Sequence, residues 1–267
     1  EGVRRSAHLL LAYNQKTEPY AGMDYFYTDA QPYRSMQGLW YKENFSKKFT
    51  ASLLFLNLGL VTGNGSEPSI DLKYMQTLGT NLNFKTADWN LYGTFYYQFG
   101  KNQQKQHVQA WMWAAKADYK INDLWTITLA SDYLSGDNHP SEGTSWAFNP
   151  LYGTHHRFYG AMDYYYASGF LSNMAPGLWD NQLGASFKAN TAVTLQGNIH
   201  LFSTTTDPKE RWLTSTLGKS MGSEMDLSFD WLIRKDVRLS GGYSVYFGTP
   251  TMEMYKGGSE DSWQDWG

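Results

Sequence analysis

The sequence predicts an all-β chain, an antiparallel transmembrane β-barrel, and three observations carry that reading. The first is period-2 alternation. Val193-Thr194-Leu195-Gln196-Gly197-Asn198-Ile199-His200-Leu201 keeps apolar residues or Gly at odd positions and polar ones at even positions. Met225–Trp231 and Val237–Tyr246 repeat the pattern. A strand sends successive side chains to opposite faces, so each run has one apolar and one polar face. The second is composition. Aromatics are 17% of residues, with 20 Tyr and 11 Trp, yet mean hydropathy is only −0.53. Barrels of this kind combine modest hydropathy with aromatic girdles. The longest apolar run, 53–61, contains Asn57 and falls short of the ~20 residues a spanning helix needs. The third is loop length: short turns alternate with long connections, as in barrels with short periplasmic turns and longer extracellular loops.

The elements follow in order. Strands are expected over 6–13 and 35–45, with a tight turn at 46–48 between the second and a strand over 49–60, whose two faces are both partly apolar. Residues 15–33 and 62–69 read as loops, the latter from its Gly, Asn and Pro. A strand from Asp71 puts Leu72, Tyr74, Leu78, Leu82 and Phe84 against Lys73, Thr77, Asn81, Asn83 and Lys85. After the turn at 86–88, Leu91, Phe95, Tyr97 and Phe99 oppose Asn90, Tyr92, Thr94, Tyr96 and Gln98. A polar loop at 101–106 leads to a strand over 107–119, a turn at 121–123 and a strand over 124–134. Residues 135–145 form a loop, 157–166 and 178–189 strands, and 190–191 a turn. The stretch 192–246 holds two hairpin arms around a loop at 203–223, with a turn at 234–236. Residues 248–267 form a tail without strong periodicity. No helix of useful length is expected.

Parity adds one strand. Short turns belong on one side of a barrel, so an even number of strands must separate 121–123 from 190–191. The expected segments number three, and the best additional candidate is 146–152, although Pro150 is unfavourable within a sheet. The total is then about 13, an odd number, and the tail lacks a terminal aromatic strand. The expectation is one outer-membrane β-barrel domain over 1–267, missing N-terminal strands and the last strand. No signal peptide stands at Glu1-Gly2-Val3-Arg4-Arg5, so the chain reads as mature or truncated.

Several segments resemble the outer-membrane alginate-export porin family. They are Leu39-Trp40-Tyr41 with Ala51-Ser52-Leu53-Leu54-Phe55-Leu56-Asn57, then Tyr133-Leu134-Ser135-Gly136-Asp137-Asn138. Phe148-Asn149-Pro150-Leu151-Tyr152-Gly153-Thr154-His155-His156-Arg157-Phe158-Tyr159-Gly160 follows, with Met162-Asp163-Tyr164 and Gly177-Leu178-Trp179-Asp180. The resemblance covers most of the chain, in the order of the family's middle and C-terminal parts. It implies an 18-stranded barrel: four earlier strands, those here and one final strand. It also implies export of an anionic polysaccharide, or passage of a related acidic sugar.

A polyanion path needs inward cations, strengthened by the low-dielectric wall. The polar faces offer Lys73, Lys116, Arg157, Lys188, Arg234 and Arg238, and guanidinium can grip a carboxylate bidentately. The same faces carry Asp118, Asp132, Asp163, Asp180, Asp226 and Asp230. Six against six departs from the arginine-rich constriction expected of the family's exporters, and fits better a network of internal salt bridges bracing the barrel. The candidate substrate path is therefore Lys73, Lys116, Arg157, Tyr159, Asp163, Lys188, Asp226, Asp230, Arg234 and Arg238. Tyr92, Tyr96, Tyr159 and Tyr246 share that side, as a sugar-stacking track or as filler.

Other chemistry is weaker. Cysteine is absent, which excludes disulfides, thiol nucleophiles and cysteine metal sites. His155 and His156 are adjacent on an expected strand and point apart, a poor chelate. Asp137, Asn138 and Glu142 share one loop and have the oxygen ligands calcium takes, though such a loop is more often simply solvated. His200 has no serine poised beside it, so an enzyme is not expected, nor a metal or cofactor. The net charge of −3 argues against nucleic-acid binding. The expected setting is the outer membrane of a Gram-negative bacterium, where Trp125, Trp179 and Trp231 serve as interfacial anchors. The expected partners are outer-membrane lipid, and acidic polysaccharide or small solutes. A barrel that serves as a structural subunit, with protein partners in a larger outer-membrane complex, is the alternative. A soluble β-sandwich or lectin would also show two-faced strands.

Overall fold

The computed structural model describes residues 4–14, 33–62, 72–138, 143–151, 158–165, 176–208, 217–256 and 262–266. Its strands are β1 (Arg5–Tyr13), β2 (Tyr33–Asn44), β3 (Phe49–Val61), β4 (Leu72–Lys85), β5 (Trp89–Lys101), β6 (His107–Lys120) and β7 (Trp125–Leu134). A two-residue β8 (Thr144–Ser145) precedes β9 (Leu178–Lys188), β10 (Val193–Ser203), β11 (Ser220–Arg234), β12 (Val237–Gly248), the helix α1 (Pro250–Lys256) and β13 (Ser262–Trp266). All but β8 lie in sequence order in one antiparallel meander, and β8 pairs in parallel with β6. The described sheet is open: β1 and β13 are its edges.

Four of the short turns are built by a polar side chain at their start. Ser46 Oγ accepts from the amides of Lys48 and Phe49 at 3.1 and 3.0 Å. Thr86 Oγ1 accepts from Trp89 N at 3.0 Å. Asn122 Oδ1 takes the amides of Leu124 and Trp125, both at 2.9 Å. Asn190 Oδ1 takes those of Ala192 and Val193 at 2.8 and 2.9 Å. Short polar side chains fold back on their own backbone in this way, which fixes both the turn and the hairpin register.

Two predicted strands are absent, and the described strands still number 13 because β13 and the two-residue β8 stand in their place. Residues 146–151 have no strand, and 158–165 are bends and turns. Tyr159 and Asp163 have φ of 63° and 56° and Gly160 has 87°. Left-handed backbone at three positions in five residues cannot continue an extended strand. The parity requirement is met by removing a strand: only β7 and β9 separate the turns after β6 and β9. The tail holds the strand that periodicity did not reveal, β13, whose Tyr246↔Trp263 register docks it on β12. Ahead of it stands α1. Thr249 caps the helix, accepting Met252 N on Oγ1 at 3.3 Å, and Pro250 takes the first helical position, where its missing N–H costs nothing. β5 runs on to Lys101, and the predicted loop 203–223 shortens at both ends to lie between β10 and β11. Most of the predicted loops 15–33 and 62–69 lies outside the described residues, and Tyr33 already belongs to β2.

The sheet's faces meet two solvents. Outward, Leu78, Leu129, Leu183, Leu195, Ile199 and Leu227 are each 45–59% exposed. An apolar face this extensive is an aggregation liability in water and suits lipid. No second sheet covers it among the described residues, which sets aside the sandwich. Aromatic girdles bound it. Phe45–Phe49 and Trp125–Phe187 stack at 5.5 and 4.6 Å and Trp89–Tyr119 meet tilted at 4.5 Å on the turn side. Trp111 and Trp113 meet Tyr133 at 6.4 and 5.9 Å on the loop side, and Tyr133 meets Trp179 at 6.2 Å. From Tyr119 to Trp111 the strand runs about 27 Å, or ~20 Å of height once tilted, near the usual ~25 Å apolar band. Just beyond it, Asn57 Nδ2 donates to Gln37 Oε1 at 2.6 Å and Gln76 Nε2 to Asn57 Oδ1 at 2.7 Å, an amide row at the upper edge of the apolar band.

The two-sided apolarity of β3 now has a cause. Leu53 and Phe55 face outward and are exposed, while Leu56, Leu58 and Leu60 face inward and are buried. The inward set belongs to a core with Met36, Met75 and Leu134 on other strands and Phe148, Tyr159 and Tyr165 on the β7–β9 connection. Full burial of one such leucine is worth roughly 1.5–3 kcal/mol. The connection thus folds into the interior, and the loop-side half of the interior is packed.

Candidate lumen site

The β7–β9 connection docks on the wall in two places. On β5, Gln98 is 1% exposed; its Nε2 donates to Asn149 O at 2.8 Å and its Oε1 accepts from Asn149 N at 2.9 Å. This amide clamp reproduces with a side chain the exchange of a β ladder. Ser135 supports it, donating from Oγ to Trp146 O at 2.7 Å and accepting from Trp111 N at 2.9 Å. On β11, Glu224 Oε1 accepts from Met162 N at 2.9 Å. Gly160 lies so close that a Cβ there would meet the Glu224 carboxyl at 2.5–2.6 Å. Tyr165 closes the second anchor. Its hydroxyl bonds that of Tyr246, which donates on to Met221 O at 2.7 Å, and its ring packs on Phe202 at 4.4 Å. Burial first, then Tyr246, pushes the Tyr165 phenol well above its ordinary range, so it remains a neutral donor at physiological pH. From β5 to β11 the wall advances five strands, about 24 Å of arc at the usual strand spacing.

Beneath the second anchor lies an acidic patch. His200, 6% exposed, donates from Nδ1 to Asp180 at 2.9–3.0 Å and holds Nε2 3.6 Å from Asp226. Asp226 Oδ1 also accepts from Ser244 Oγ at 2.6 Å. Glu224 and Asp180 are buried beside them and Asp132 is half-buried. The imidazole is the one base among these carboxylates, and the docked connection covers the group. A charge buried this way is held by hydrogen bonds rather than by water. It is not among the described groups with metal-binding geometry, of which there are none.

The turn-side half differs. Lys116, Lys188 and Arg238 face inward and are exposed. The acids there are engaged. Asp118 accepts from Thr128 Oγ1 at 2.7 Å and pairs with Lys116 at 3.3 Å, and Asp230 accepts from Ser240 Oγ at 2.6 Å. Of the acids, Asp132, Asp180 and Asp226 thus lie under the packed half, while Asp118 and Asp230 share the open half with the three exposed cations.

The remaining candidates fall as follows. Lys73 is half-buried and inward, opposite Leu60. Arg234 ends β11 at the turn rim. Tyr159 and Asp163 sit on the infolded connection, not on a wall strand, and Tyr159 is core. Arg157, His155, His156 and Glu142 lie outside the described residues. Asp137 is 3% exposed and accepts from Trp146 N at 3.2 Å, so its carboxylate braces the connection. Of the four tyrosines, Tyr246 is fully buried and Tyr159 nearly so. Tyr96 fills the space over Gly79, where a Cβ would lie 1.8 Å from its ring, and Asn81 Nδ2 donates to its hydroxyl at 2.8 Å. Tyr92 alone of the four is exposed, at 45%. The acid patch escaped sequence reasoning, because four strands supply it and only register brings them level. A hollow of about 680 Å³ is lined mainly by outward Leu91, Ala115, Ala117, Leu129, Leu183 and Ile199, so it is a dent in the lipid-facing surface.

Known proteins agree with this geometry. The DcaP outer-membrane channel of Acinetobacter baumannii is 10% identical at a TM-score of 0.53, over 97% of this chain and 68% of its own. OprD of Pseudomonas aeruginosa is 13% identical at 0.53, over 85% of this chain and 57% of its own. Pseudomonas aeruginosa OccK11 (OpdR) is 12% identical at 0.50, over 93% and 63%. Identities this low show the fold alone, and the chain spans just over half to two thirds of those structures. No curated protein matches it significantly. The sequence model for alginate export matches residues 61–254. With a porin-type sheet, an outward apolar band and that match, the chain belongs to the alginate-export family, whose setting is the outer membrane of Gram-negative bacteria.

Proposed function

We propose that this chain is part of a single outer-membrane β-barrel domain that passes anionic polysaccharide, or related acidic sugars, through its lumen without catalysing a reaction. The exposed cations of the turn-side wall, where Asp118 and Asp230 are already engaged by hydroxyls, carry the reading. Lys116, Lys188 and Arg238 stand exposed on the turn-side wall, while Asp180, Glu224 and Asp226 are sealed beneath the connection. An anion entering from the turn side, the periplasmic side of such barrels, meets cations whose field the low-dielectric wall focuses. The unpaired edges of β1 and β13 support closure by further strands, because open edges are not tolerated in lipid; an 18-stranded barrel is the proposed closure. Lys73, Arg157 and Arg234 extend the proposed cation path, with Tyr159, Asp163, Asp226 and Asp230 as its polar and structural complement.

Planar-bilayer recording of the full-length protein tests this. Reversal potentials in a KCl gradient should show preference for chloride, and Lys116→Glu with Lys188→Glu should reverse it. Cation preference in the unmodified protein removes the polyanion reading. The packed loop-side half favours a second reading, a plugged barrel acting as a structural subunit of a larger complex. A closed pore with stable co-purifying outer-membrane proteins would establish that instead.

A further inference from the structure

We propose that Tyr92 and Lys116 form a binding subsite for a single hexuronate residue on the turn-side wall; this rests on the polyanion reading above. The two are directly opposed across β5 and β6, and both face inward, so their side chains rise together from one patch of wall. They supply the two things a sugar acid presents. A pyranose has an apolar C–H face, which packs on the electron-rich face of an aromatic ring. Its carboxylate takes a charge-assisted hydrogen bond from an ammonium.

The surroundings keep both groups available. Asn90 Nδ2 donates to the Tyr92 hydroxyl at 2.6 Å, and Asn83 Nδ2 in turn donates to Asn90 Oδ1 at 3.1 Å. The hydroxyl is tethered while the ring stays 45% exposed. Lys116 is 46% exposed in its side chain and meets Asp118 at 3.3 Å. An ammonium has three donors, so that pair orients it with donors to spare. The next residue along the row, Ala130, is small, and Gln182 beyond it carries an amide. The row therefore reads aromatic, cation, low ground, amide: a pyranose packed on the Tyr92 ring has its carboxylate within reach of the adjacent Lys116, and the small Ala130 leaves the far side of the ammonium uncrowded.

The experiment is current block of the full-length protein in a planar bilayer, with trigalacturonate and maltotriose as probes. Trigalacturonate should block saturably, and Tyr92→Ala and Lys116→Gln should each weaken block on the order of tenfold. Tyr92→Phe should preserve it, and Asp118→Asn should tighten it by removing the competing charge. Conductance of each variant shows that the barrel has assembled. Block by trigalacturonate that neither Tyr92→Ala nor Lys116→Gln alters overturns the subsite and leaves the polyanion reading standing. A conducting protein that trigalacturonate does not block overturns both. Equal block by maltotriose overturns the role given to Lys116.

Discussion

Gly160→Ala is the sharpest perturbation of the docked connection. Gly160 has φ of 87°, where an L side chain costs roughly 1–2 kcal/mol. Its new Cβ would also lie 2.5–2.6 Å from the Glu224 carboxyl, so the two must separate. Separation breaks the Met162 N to Glu224 bond of 2.9 Å, and an ordinary hydrogen bond contributes about 0.5–1.5 kcal/mol. Together these come to about 1.5–3.5 kcal/mol, or a shift of roughly 10- to 300-fold in the docking equilibrium. The Gln98 clamp on β5 is untouched, so the connection stays tethered at one end and releases at the other. Single-channel recording should show larger conductance with added low-frequency noise, and limited proteolysis should cut between 158 and 165. Unchanged conductance together with unchanged proteolysis would refute the argument that this contact holds the lumen closed on that side.

Three other outcomes are expected. Leu129→Arg places a charge on the lipid face and should destabilise the barrel by about 2–4 kcal/mol, whereas Gln196→Arg, an exposed lumen position, should be tolerated; urea titration in detergent, followed by gel mobility, compares them. Gly79→Ala should displace the Tyr96 ring that covers it and cost roughly 1–3 kcal/mol, with Tyr96→Ala recovering part of the loss in a double-mutant cycle on the same assay. The Tyr165 phenol is raised in the folded state, so its contribution is fully present below the unfolded value near 10.0 and is lost as pH rises beyond it. Proteolysis of the connection should therefore increase above about pH 10, and Tyr165→Phe should flatten that rise.

The strands were legible wherever the two faces meet different media. Trp125, Ile127 and Leu129 against Thr126 and Thr128 is lipid against water, and the predicted bounds of β7 are nearly right. Legibility failed where the interior is not water. The inward leucines of β3 meet a packed connection, so alternation vanished there although the strand is regular. It failed in the opposite sense at 157–166, where Phe158, Gly160, Met162 and Tyr164 alternate with polar residues by composition while three left-handed positions turn the backbone. β13 was hidden for a third reason: a five-residue strand behind a short helix gives alternation too little length to register. For the site, charge type could be read from sequence but charge company could not. Lys116 and Asp226 looked alike as inward ions, and register with cover separates them into an exposed cation and a sealed anion.

The four capped turns bear on how such a sheet is assembled. Ser46, Thr86, Asn122 and Asn190 each satisfy the amides at the tip of a hairpin from within that hairpin. A strand pair leaving its turn therefore carries amides at its leading end that its own side chain already pairs, and meets its neighbours along its flanks. The hairpin becomes the natural unit of addition: each arrives with its register already set, and it needs only a neighbouring edge to complete itself in lipid.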